Sequence, residues 1–535
     1  MPQNKEKSIT FANFAGLNEN YEDFTAKNEF SVFKNFDYNK DGVRGIVPRK
    51  GNTIYNPNFL ATAKIDTLEN IPYSSEFQIA QVGTTLYKQD FTEVGGAGNG
   101  SCSSTIQNMA YFLGKVFINP GLLDSGEVKG IIYDVSTGVT SLQSGGPDNG
   151  RYLTLYKNRL WVASGNVVYY SQPYMNDNDG DADDWDISNN FIKVSPNSGN
   201  EIIALIGTSN AFLICMENGD VYPLYGAYPN EFSVPEFPLT TQGPISHRTV
   251  RRSRGAVFWL GPDDVYQYVG GAITPVSEKR QIKTQLSKIS TDPAIRELAV
   301  ASIVGDDYVV CFRQTTSATV NKCYVFDIVY RTWREYENLY FFFQASCVTS
   351  EGVWITGQAW PDTNSKYKLI QQRNGYADTI TTSADTSIIA QAMGHEFFPS
   401  DGYMDAQFKK LFGRMSWGAN HVLNLSLFGK SGLRDDPSNQ SRAKIFEFLK
   451  ASADVTDSSL WDENNWANED DTADAGELVW ADADDAVDFL LEDVYKNFNL
   501  ISNSLRFNFF ITYKTNPSVE IQKLKVHYLN KRRIL

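Results

Sequence analysis

Two stretches carry the residue types of a calcium loop. In "DYNKDG", Asp37, Asn39, Asp41 and Gly42 stand at the spacing of the first ligands and turn glycine of a calcium hand. The hand also needs a bidentate carboxylate at its twelfth position, which here is Pro48, and Gly42, Gly45, Pro48 and Gly51 break any exit helix. In "NDNDGDADDWD" (176–186), Asp177, Asp179, Asp181 and Asp183 alternate and could converge on a hard cation. The closing position of a hand, residue 188, is Ser, and a solvated loop between two repeated units is the plainer reading.

Other constellations are weaker. The densest basic patch is "HRTVRRSRG", where Arg248, Arg251, Arg252 and Arg254 precede an edge-like strand. They could face DNA phosphate or form salt bridges to a neighbouring subunit, and the acidity of the chain favours the second. His247, His395, His421 and His527 lie in no HExxH pattern and at no zinc spacing from a Cys pair. No GxSxG elbow occurs, and "GGAGNG" (95–100) lacks the GK[ST] of a phosphate cradle, which leaves a hairpin loop. A glycosidase needs two carboxylates across a cleft, and 63 acidic residues supply too many pairs to choose from. The expectation is a protein without catalytic residues, metal or cofactor.

The elements that would position such residues are strands. Aromatics form 13% of the 535 residues, which favours β structure and excludes global disorder. A formal charge of −15 argues against wrapping nucleic acid, which needs clustered cations. Five scattered cysteines without a CxxC read as reduced, buried thiols. The opening "MPQNKEKSITFANFAG" has no apolar signal-peptide core, and no run reaches the ~18 apolar residues of a membrane span, so a protein made in the cytoplasm is expected.

Three regions follow from the patterning. Residues 1–60 are polar and punctuated by Gly and Pro, and read as an extended arm that must lie against the body or a neighbouring subunit. Residues 61–385 repeat short apolar runs split by turns: "YLTLYKNRLWVASGNVVYYS", "AFLICMENGDVYPLY" and "GAVFWLGPDDVYQYVGGAITPVS" are each a meander of period-two strands. "IIYDVSTG" and "YVFDIVYRTW" share an Asp at a strand end, where it can bond the next turn. Up to seven such units fit a β-propeller, with two packed sheets as the alternative. "SEKRQIKTQLSKI" reads as a helix capped by Ser277, with Ile282, Leu286 and Ile289 on one face. Residues 386–535 alternate as the strands of a separate β-sandwich. They are interrupted at 451–495 by an acidic insert with fifteen Asp or Glu and no Lys or Arg, in which Trp461, Trp466 and Trp480 are candidate docking anchors. The fold class expected is all-β.

The opening "FAGLNENYEDFTAKNEFSVFKNFDYNKDGVRGIVPRKG" resembles that of the tail hub or nozzle proteins of short-tailed bacteriophages. The shared elements are Gly16–Leu17–Asn18, Asn35–Phe36–Asp37, Asp41–Gly42, and Arg44 with Pro48–Arg49–Lys50–Gly51. "LTLYKNRLWVASGNVVYYSQP" and "FWLGPDDVYQYVGG" are similar to that family's propeller strands. The resemblance implies a structural virion subunit of the tail. It would form a homo-oligomeric, six-fold ring below the portal and adaptor, through which viral DNA passes without specific binding. It also implies that "DYNKDG" is an Asx-type turn ending a strand of the arm. A receptor- or glycan-binding propeller and a propeller glycosidase are the alternatives.

Overall fold

The computed structural model describes Lys7 to Asn530 except for residues 13, 19–28, 39–44, 125–126, 174–183, 195–198, 278–281, 315–320, 338–342, 360–364, 376, 382–383, 396, 398–405, 417–421, 431–440, 450–491, 503–504 and 514–519. The described chain is an all-β fold with four short helical turns. Seven antiparallel meanders follow one another from Ile65 to Gln372, and their first strands are Ile65–Ile71, Asn108–Phe112, Arg151–Tyr156, Ile202–Gly207, Arg251–Ser253, Val300–Val304 and Phe343–Val348.

Turn chemistry explains why the strands reverse where they do. Lys157 and Asn158 have φ of 49° and 58°, and Gly270 and Gly271 have 58° and 95°. Positive φ at both central residues makes the tight hairpin turn whose twist matches the strands. The paired Asp residues act as the sequence suggests. Asp134 accepts from the backbone N–H of Ser136 and Thr137 at 2.8 and 3.0 Å. Asp327 accepts from those of Val329 and Tyr330 at 3.0 and 2.8 Å.

The second strand of each meander is buried on both faces, and its alternate residues enter different cores. In Ala256–Leu260, Phe258 and Leu260 join one core while Val257 and Trp259 join another. In Phe212–Met216, Phe212 and Ile214 face one side and Leu213 and Cys215 the other. Period two thus sends successive side chains into the layers on either side of a sheet. Seven such cores separate the seven meanders, and the seventh meander shares one with the first: Ala345, Cys347 and Ile355 pack with Ile65, Leu68 and Val82.

The arm is woven into three sheets of its own chain. Lys7–Ala12 pairs antiparallel with Glu520–Asn530, from Lys7↔Tyr528 to Ala12↔Lys523. Glu29–Lys34 lies between Thr332–Tyr336 of the sixth meander and Ile388–Gly394, so the sixth meander continues into a sheet that also holds Arg506–Tyr513, Val422–Lys430 and Ser441–Leu449. Asn52–Ile54 adds a fourth strand to the seventh meander beside Leu369–Gln372. A second C-terminal sheet contains Ala406–Ser416, Glu492–Ser502 and Glu520–Asn530. Arm phenylalanines Phe11, Phe14, Phe30, Phe33 and Phe36 pack with Leu425, Phe507 and Leu524 from the C-terminal strands, and the rings of Phe11 and Phe507 meet edge to face at 4.8 Å.

The expected helix is shorter than its apolar spacing suggests. The helix spans Lys283–Leu286, and its N-cap is Ile282, not Ser277. Ile282, Leu286 and Ile289 are nonetheless all buried in the largest core. Burial of three apolar residues needs one turn and its flanks, and a longer helix is not required. Residues 278–281 lie outside the described residues.

Candidate functional site

The basic patch divides. Its first residues form a short 3-10 turn, His247–Thr249, whose cap Ser246 accepts from the backbone N–H of Arg248. This turn carries Arg248 inward. Its guanidinium donates to the carbonyls of Asp66 at 2.7 Å and Leu298 at 3.0 Å, while its Nε has no partner. Arg251 is half-buried and donates to the Val250 carbonyl. Arg252 and Arg254 stay on the surface, where Arg254 pairs with Asp306 of the sixth meander.

Arg248, Arg251 and His247 face a small cavity where first strands from several meanders converge. Its other lining residues include Glu69, Gln107, Asn108, Gln344 and Ser346. It holds about 20 Å³ of water-accessible space, too little for a nucleotide. Gln344 Nε2 donates to Asp66 Oδ1 at 2.8 Å, which fixes the amide and leaves Oε1 without a partner. Burial, then Arg248 and Arg251, hold the His247 imidazole well below its ordinary value, so it is neutral. Burial pushes the Glu69 carboxyl up, against the pull of Arg251 and Arg248. Burial lowers Arg248 itself to about 10, opposed by Glu297 and Asp66.

A second cluster is larger and was not visible in the sequence. Three arm residues reach partners on the far side of the sequence, from 297 to 464 positions away. Asn35, in a left-handed conformation at φ 56°, donates to the carbonyls of Glu337 and Ile389 and accepts from the Arg49 Nε. Arg49 is fully buried and forks onto both oxygens of Asp378, at 3.0 and 2.6 Å. Its carbonyl accepts from the Tyr513 hydroxyl at 2.6 Å. Asp37 accepts from Arg334 Nε at 2.7 Å and from the Tyr336 hydroxyl. Arg334 and Arg373 both reach Asp307 Oδ2, at 2.7 and 2.6 Å. Three arginines and three aspartates thus form a buried clasp joining the arm, the sixth and seventh meanders and the C-terminal strand Arg506–Tyr513. Burial works against the Arg49 charge, but Asp378, Tyr513 and Tyr336 outweigh it and raise the guanidinium above its ordinary value.

Asp37 therefore begins no calcium loop: it sits in the strand Phe36–Tyr38 with its carboxylate committed to Arg334. Asn39 to Arg44 lie outside the described residues, as do Asp177, Asp179, Asp181 and Asp183 and the three insert tryptophans Trp461, Trp466 and Trp480. Among the described residues no group of three His, Cys, Asp or Glu could hold a metal, and no helix is long and apolar enough to cross a membrane. All five cysteines are buried and none is in a disulfide, and Cys311 and Cys323 stand opposite each other on neighbouring strands, a pairing their spacing did not reveal.

No protein-family model matches the chain, and no curated protein matches it. Among solved structures, a computationally designed protein, Ika8, is 11% identical over 63% of this chain and 95% of its own, with a TM-score of 0.37. A chain of a mitotic checkpoint complex is 11% identical over 60% of this chain and 95% of its own, with a TM-score of 0.34.

Proposed function

We propose that this chain is a structural subunit of a bacteriophage tail, a hub or nozzle whose seven meanders are the blades of a β-propeller. The observation that carries the reading is the clasp. Asn35, Asp37 and Arg49, three of the residues through which the arm resembles that family, lock the arm to the body. Such an investment of buried charge suits a part that must hold its shape in an assembly. The sharing of one core by the first and seventh meanders supports a closed ring of blades, with Asn52–Ile54 completing the last.

Copies of the subunit would assemble into a homo-oligomeric, six-fold ring below the portal and adaptor. A formal charge of −15 per chain, repeated around a lumen, repels phosphate and lets DNA slide. Negative-stain images of the purified protein test this: rings with a pore are expected. A monomer that cleaves host polysaccharide, or one that holds duplex at physiological salt, would overturn it.

A receptor- or glycan-binding role is the second reading, and one segment favours it. Between the fourth and fifth meanders, Tyr225, Tyr228, Phe237 and Leu239 are all exposed, Phe237 to 76%. Aromatic side chains held in water suit sugar faces or a protein contact. A glycosidase would need two facing carboxylates, and Glu69 is the sole carboxylate among the lining residues of the cavity.

A further inference from the structure

We propose that the cavity between the first strands is a binding site for a compact oxyanion that still carries a proton, of the size and chemistry of bicarbonate. Two buried groups make the case. Arg248 is 6% exposed and its Nε–H has no acceptor. Gln344 is 2% exposed and its Oε1 has no donor. Both residues line the cavity, and Asp66 holds both side chains, one through its backbone carbonyl and the other through its carboxylate. A buried donor or acceptor left unpaired is unfavourable, because it has given up its bonds to water.

The occupant must therefore accept from a guanidinium and donate to an amide oxygen. The amide cannot simply turn over, because Nε2 would leave Asp66 and oxygen would face oxygen. A halide has no proton to give, and a fully ionised anion has none either. Water could do both, but two cationic side chains, Arg248 and Arg251, line the cavity against one acidic one, Glu69, and favour a negative charge. Glu297 and Asp66 face Arg248 from outside the cavity, and Lys64 pairs with Asp66 at 3.1 Å. Size narrows the choice. The cavity of about 20 Å³ suits a small anion and is too small for a nucleotide or a sugar. In the bound state, the anion's oxygens accept from Arg248 Nε and from Arg251, and its hydroxyl donates to Gln344 Oε1.

The test uses the full-length protein in degassed, mildly alkaline buffer. Adding sodium bicarbonate is expected to raise the melting temperature saturably, by roughly 2 °C. Sodium chloride at equal ionic strength should not. Carbon-13-labelled bicarbonate should show a broadened resonance with the native protein, restored to its free width by Arg251→Gln and by Gln344→Leu. Density in a crystal soaked in bicarbonate would read the site directly should either variant fail to fold: a planar group against Arg248 and Gln344 supports the proposal. A single water there, equal effects of bicarbonate and chloride, or broadening that survives both substitutions would each overturn it.

Discussion

Replacing Arg49 by methionine removes the guanidinium that both oxygens of Asp378 accept from, while Asp378 remains 0% exposed. Breaking a buried ion pair from one side costs about 3–5 kcal/mol, because the remaining charge loses its compensation. Arg49→Met is expected to lose that much in urea unfolding. The double variant Arg49→Met with Asp378→Leu should be less damaged than the sum of the single ones, which a double-mutant cycle would show. His247 gives a pH-dependent prediction at the same scale. The unfolded chain takes up a proton at about pH 6.5 that the folded imidazole refuses. Stability is therefore full above that pH and falls as the solution becomes more acidic, by at most about 1.4 kcal/mol per pH unit. Glu69 works the other way, since its raised carboxyl binds a proton more readily folded than unfolded and so adds stability as pH falls through its own range. His247→Gln should flatten the limb between about pH 6.5 and 5 in unfolding curves taken across pH. An unchanged slope there would assign the loss to other groups.

At the scale of elements, Gly51 and Gly270 make opposite predictions. A Cβ on Gly51 would lie 2.1 Å from the Ala377 carbonyl oxygen, so Gly51→Ala should push the strand Asn52–Ile54 off the seventh meander. The expected result is faster cleavage of the arm in limited proteolysis. A Cβ on Gly270 meets nothing, and its φ of 58° suits Asn. Gly270→Asn should therefore stabilise the hairpin by roughly 0.5 kcal/mol, seen as a raised denaturation midpoint. These elements differ in how far they could be read in the sequence. The hairpin was legible because Gly-Gly and period-two alternation act over a few residues. The seventh meander's fourth strand was not, because Asn52–Ile54 is polar, three residues long and paired with residues some three hundred positions later. The clasp was hidden for the same reason: Asp37 looked like half of a metal site because its true partner, Arg334, is close to it only in the fold. The basic patch was recognisable as a run of charge, but that Arg248 turns inward while Arg254 pairs at the surface depends on the 3-10 turn that carries Arg248 and on neighbouring sheets.

On the scale of the whole molecule, the arm replaces what a linker would otherwise do. It contributes strands to a C-terminal sheet, to the extended sheet of the sixth meander and to the seventh meander, and its phenylalanines fill the core between the two C-terminal sheets. Removing residues 1–54 should therefore do more than trim an end. The truncated protein is expected to lose its cooperative thermal transition and to elute as aggregate in size-exclusion chromatography, whereas a passive arm would leave both unchanged. If the propeller and ring reading holds, the intact chain should instead elute as a discrete oligomer.

The pairing of Lys7–Ala12 with Glu520–Asn530 also constrains how a cell can make this protein. The mate of Lys7–Ala12 is made several hundred residues later, so the arm's five core phenylalanines emerge long before the C-terminal strands that cover them. A chain of this design should lean on a holding chaperone while it is being made, and its yield should track chaperone supply more closely than it tracks the stability of the finished product.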